Sequence, residues 1–166
     1  MPSYLPSLTT TNLSLYLIPV AWTLSLLPRA FAAGTYTSAG KNQYNALHPR
    51  SFPNDVQNNQ ALDKKTRDRI LRAEAAQANG FENLPLFAAA IVAGNAAGLT
   101  PFTLNGLGLG YCLARFVYNH IYIFQDVLPH PGNAFRTASW FAGVCCCFAL
   151  FVLSGWKWDE RRMAML

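Results

Sequence analysis

Apolar residues gather into four long runs, at about 12–33, 70–98, 103–125 and 135–156. Each reaches the roughly 20 residues that a membrane-crossing helix needs. The pattern predicts an all-α membrane protein, a four-transmembrane-helix bundle forming one domain over residues 1–166. Residues 34–69 are polar and read as a loop. Pro19 and Pro28 fall inside the first run and should kink or end its helix. In the short turn AAGLTPF, Gly98 should end one helix and Pro101 start the next. Runs two and three are therefore expected to form an antiparallel hairpin. The first run carries Ala30-Phe31-Ala32, a cleavage-like triplet. No basic residue precedes its apolar core and Arg29 follows it, so it reads as a retained span.

Composition points the same way, with 52% hydrophobic and 13% charged residues. The formal net charge of +5 is unevenly placed. Arg29, Lys41, Arg50, Lys64, Lys65, Arg67, Arg69 and Arg136 fall on one side of a four-span arrangement. The other side has Lys157, Arg161 and Arg162, all after the last run. The positive-inside rule then places 34–69 in the cytosol and both termini across the membrane. Basic residues form no long run, so a nucleic-acid partner is not expected. Cys112, Cys145, Cys146 and Cys147 have neither metal-site nor disulfide spacing and read as packing residues. His48, His120 and His130 also lack partner spacing, so no metal site is expected.

Runs two and three carry polar stripes. On a helix, Arg72, Asn79 and Asn83 fall within about 40° of one another, with Glu82 nearby. Tyr111, Arg115, Tyr118, Asn119, Tyr122 and Asp126 recur at steps of three and four. Folding the hairpin about its turn sets Glu82 level with Arg115, Asn79 with Tyr118 and Arg72 with Asp126. An unpaired charge in mid-membrane is costly, so a Glu82–Arg115 pair is expected. Buried polar pairs also serve as helix–helix glue. The stripe from Glu82 to Arg72 is about 15 Å long, however, and opens toward one face. Such a lane suits a polar, anionic ligand. A transporter reading fits poorly, because the lane tapers from one side.

The stretch RAEAAQANGFENLP, together with ARFVYNHIY at 114–122 and FRTASWFAG at 135–143, resembles the MAPEG family. These are membrane-associated proteins in eicosanoid and glutathione metabolism. The resemblance implies a homotrimer of four-helix bundles in the endoplasmic reticulum membrane, with glutathione bound between subunits near the cytosolic side. It implies that Asn79 and Glu82 are helix-two glutathione ligands. Gln77 stands where other members have Gln or His. Arg115, Tyr118 and Tyr122 resemble the family's helix-three residues, and Arg136 an arginine opening helix four. Leukotriene C4 synthase has an arginine four residues before the Asn, where this chain has Ala75. Arg72 could take that place.

On this resemblance the chain would be a glutathione transferase or peroxidase, with glutathione as co-substrate and a lipophilic electrophile or hydroperoxide arriving from the bilayer. Arg136 would stabilise the thiolate, and Tyr118 or Tyr122 would donate a hydrogen bond. Arg72 would hold a glutathione carboxylate. Glu82 would accept from its ammonium group or orient Arg115. The competing expectation is a non-catalytic lipid-binding or scaffold member.

Overall fold

The computed structural model describes residues 7–40, 44–127 and 132–165. A short 3-10 turn, Ser14–Tyr16, leads into α1 (Leu17–Gly40). Then follow α2 (Phe52–Asn58), α3 (Lys64–Ala97), α4 (Pro101–Phe124) and α5 (Gly132–Met163). No strand occurs among the described residues. Among the described residues, two stretches are long and apolar enough to cross a membrane, Ser14–Ala39 and Ala134–Met163. α3 and α4 carry the polar stripes.

The predicted loop is largely helical. α1 continues to Gly40, α2 occupies the middle, and α3 starts at Lys64, six residues before the apolar run beginning at 70. Asp63 explains that early start. Its carboxylate accepts a hydrogen bond from the Thr66 amide at 3.0 Å and caps the helix. The Lys, Arg, Glu and Ala residues that follow are good helix formers, whatever their polarity. Gly98 closes α3 in the left-handed conformation (φ 73°), and Pro101 is the first residue of α4.

Pro28 does not end α1, which runs twelve residues beyond it. A proline in a helix leaves the carbonyl four residues back without its amide partner. That carbonyl belongs to Leu24, and Asn119 of α4 donates its side-chain amide to it at 2.8 Å. The cost of the proline is thus offset by a neighbouring helix.

α3 packs against α1, α2, α4 and α5. One apolar cluster joins Leu17, Phe87, Ile91, Leu104, Tyr111 and Leu150, with the Phe87 and Tyr111 rings stacked at 4.0 Å. A second joins Ala32, Tyr36, Phe52, Val56, Ile70 and Ile123 beside α2. The polar layer occupies the depth between them. Gly80 permits the close approach of α1 and α3, since a Cβ there would lie 2.9 Å from the Ser25 side chain.

At the far end, Asn105 of α4 fastens the N-terminal strap. Its amide nitrogen donates to the Leu8 and Thr11 carbonyls at 2.9 and 2.7 Å, and its oxygen accepts from the Leu13 amide at 2.9 Å.

Candidate functional site

The polar layer is built where α3, α4 and the start of α5 meet. Asn79 lies one residue before Gly80, so the face of α3 that presses on α1 leaves Asn79 turned toward α4. There Arg115 donates to the Asn79 side-chain oxygen at 2.9 Å. Arg115 is only 3% exposed, and its guanidinium lies 4.5 Å from the centre of the Tyr118 ring. Its second terminal nitrogen is buried without a hydrogen-bond partner. One turn along, Tyr118 and Tyr122 pack at 5.5 Å. Arg136, near the start of α5, sits 4.7 Å over the Tyr122 ring and donates to Gln125 at 3.4 Å.

Asn79, Tyr118, Tyr122 and Arg136 line one open cleft of about 200 Å³, completed by Thr137 and Trp140. Four of the eight residues singled out from the sequence thus share one cleft, and Arg115 stands directly behind it. The other three lie elsewhere. Gln77 is two residues from Asn79, a rotation of about 200° on a helix, and therefore faces away. It lines a larger cleft of about 730 Å³ with Arg29, Glu74 and Ala75. Glu82 is exposed, and the expected Glu82–Arg115 pair does not form: the hairpin twist brings Asn79, one turn earlier, to Arg115 instead. Arg72 bonds to the Asp126 carboxylate and to the Ile123 carbonyl, at 3.2 Å for the latter. Arg69 also donates to Asp126, at 2.7 Å, and Lys65 lies 3.7 Å away. The Arg69 hydrogen bond, first among the causes, holds the Asp126 carboxyl below its usual range.

Sequence reasoning overlooked a second ion pair. Arg29 of α1 bonds to the buried carboxylate of Glu74 on α3. The same guanidinium donates to the Tyr44 hydroxyl at 2.7 Å and the Pro49 carbonyl at 2.6 Å. It also lies 5.0 Å from the Phe52 ring centre. The other carboxylate oxygen of Glu74 has no partner. Glu74 falls two residues off the stripe that held attention, and Arg29 read as an ordinary flanking cation. The signal was available: one acid and one base near the ends of two adjoining apolar runs. Thr137 and Trp140 offered no signal beyond the helical spacing from Arg136.

The cleft places a fixed cation and two phenol groups beside an amide, an arrangement suited to holding and polarising an anionic or thiol-bearing ligand. The model of the MAPEG family matches residues 10–156. The chain belongs to that family. Among individually curated proteins, none matches the chain. MAPEG membership makes this a member of a membrane-protein family of glutathione and eicosanoid metabolism, consistent with its two apolar helices.

Proposed function

We propose that this protein is a membrane-bound glutathione transferase or peroxidase, multi-pass and resident in the endoplasmic reticulum, acting on lipophilic electrophiles or hydroperoxides. The observation that carries this reading is the position of Arg136 beside Tyr122, Tyr118 and Asn79 in one cleft. A thiol with an ordinary pKa of about 8.5 is mostly protonated, and so a weak nucleophile, at neutral pH. A guanidinium keeps its charge throughout the physiological range and favours the thiolate. Arg136 takes that role. Tyr118 and Tyr122 supply hydroxyl donors, and the Arg115–Asn79 bond orients the Asn79 amide.

Size supports an assembly. Ligand sites usually occupy about 300–1,000 Å³, and the single-chain cleft is about 200 Å³. Gln77 lines the opposite side of α3, so a second copy of the chain can offer it where the first offers Arg136. This favours a homotrimer with glutathione held between subunits. Glu82, exposed on the same helix, is free to meet an ammonium group.

A second reading, a non-catalytic lipid-binding member, is favoured by one observation. Position 75 is alanine, and Arg72, its possible substitute, is already bound to Asp126.

The deciding experiment adds glutathione to detergent-purified protein, follows the ultraviolet absorbance of the thiolate, and then supplies a generic electrophile. Thiolate and conjugate are expected. Absence of both would overturn the enzyme reading. Arg136→Ala should lose about 100-fold or more in conjugation rate while still binding glutathione. Full activity in that variant moves the role to another arginine.

A further inference from the structure

We propose that the outer face of α1 holds one anionic phospholipid, with its headgroup against the start of α3 and an acyl chain between α1 and α4. Three features meet on that face, none of them part of the glutathione cleft. The first is a cleft of about 490 Å³ whose walls include Thr35, Ser38 and Thr66, with Gly34 and Phe31. The second is a narrower groove of about 140 Å³ lined by Leu27, Phe31, Phe116 and Phe124. Phe31 lines both, so the two adjoin at its ring: the first bears hydroxyl groups, and the second is mainly apolar, with Asn119 and His120 as its polar lining.

The third feature is charge. Asp126 receives Lys65, Arg69 and Arg72 together, three cations on one carboxylate. Two positive charges remain uncompensated there, and the Lys65 side chain is 61% exposed. This surplus adjoins both: Lys65 is next in sequence to Thr66 of the cleft, and Arg69 reaches Phe124 of the groove. Arg69 lies 5.3 Å from the centre of the Phe124 ring, which packs edge-on against Phe31 at 5.4 Å.

A phosphate needs cations and hydroxyl groups, and an acyl chain needs a dry groove. Here the two lie in line along the helix axis, as they do in a phospholipid. Basic groups at the cytosolic rim of membrane helices favour anionic headgroups in this way. A free phosphate would use the charges but leave the groove empty.

The test is native mass spectrometry of detergent-purified protein with phosphatidylserine or phosphatidylcholine added. Wild type should retain phosphatidylserine about 30-fold better, the factor expected from two surplus basic charges near a membrane surface. Lys65→Gln should cut that preference to about fivefold. Gly34→Phe should lower retention of both lipids. A Cβ at Gly34 meets nothing within 4 Å, so the ring can occupy the cleft without disturbing the helix, and unchanged circular dichroism checks this. Equal retention of the two lipids by wild type would overturn the proposal, as would undiminished retention by Gly34→Phe. Displacement of the phosphatidylserine by inorganic phosphate would also overturn it, assigning a small-anion site instead.

Discussion

Asn119 shows how one side chain can decide whether a helix survives a proline. Its amide satisfies the Leu24 carbonyl that Pro28 leaves open. Asn119→Leu keeps the volume but orphans that carbonyl, and an unsatisfied buried group costs about 1–3 kcal/mol. The Asn119 side-chain oxygen is itself buried without a partner, so removing it recovers part of the loss. A net loss of about 1 kcal/mol is expected from denaturant unfolding of the variant. Asp126 carries a pH-dependent contribution. Its folded pKa is depressed, first by the Arg69 hydrogen bond. Its stabilisation is therefore present above the ordinary carboxylate value and is lost as pH falls through the depressed one. Asp126→Asn should lower the melting temperature at neutral pH and flatten its fall below about pH 4, where free aspartate protonates. An unchanged acid limb would mean that other carboxylates dominate it.

Helices carry the next level of explanation, because their packing chooses which residues meet. The contact of α1 with α3 at Ser25 and Gly80 fixes the rotation of α3, and with it the direction of Asn79. Gly80→Val would force the two helices apart. Overpacking of this kind costs about 1–3 kcal/mol, and displacement of Asn79 should weaken glutathione binding in a calorimetric titration more than it alters helix content. Much of this level was legible beforehand. Apolar run lengths, Gly98 and Pro101 announced the hairpin, and helical spacing gathered Tyr118, Tyr122 and Asn79 on facing sides. Equal depth correctly joined Arg72 to Asp126. It failed for Glu82 and Arg115, because depth says nothing about rotation, and a twisting hairpin let Asn79 reach Arg115 first. The helical start of α3 was hidden for another reason. Hydropathy marks where a helix becomes apolar, whereas Asp63 marks where it begins.

For the whole molecule, the decisive arrangement is that Asn79 and Gln77 open onto different clefts. A site shared between copies predicts complementation. Chains carrying Arg136→Ala and chains carrying Gln77→Ala, each impaired alone, should regain activity when co-expressed. Random mixing in a closed ring leaves about a quarter of the interfaces with both native residues. Mixed assemblies no more active than either variant alone would return the site to a single chain. The family match was foreshadowed by the Asn-Gly-Phe-Glu-Asn segment, of which the cleft holds Asn79. The Arg29–Glu74 pair was not, since it depends on which faces of α1 and α3 meet.

That pair has a further consequence. One guanidinium holds Glu74 of α3, the Tyr44 hydroxyl and the Pro49 carbonyl, and lies over the Phe52 ring. Segment 44–52 is thus tied to the bundle twice, by this guanidinium and by Phe52, which is buried edge-on against Tyr36 of α1. Replacing Arg29 would therefore remove the bonds to Glu74, Tyr44 and Pro49 together, three residues that all border the larger cleft, while Phe52 keeps its place in the core.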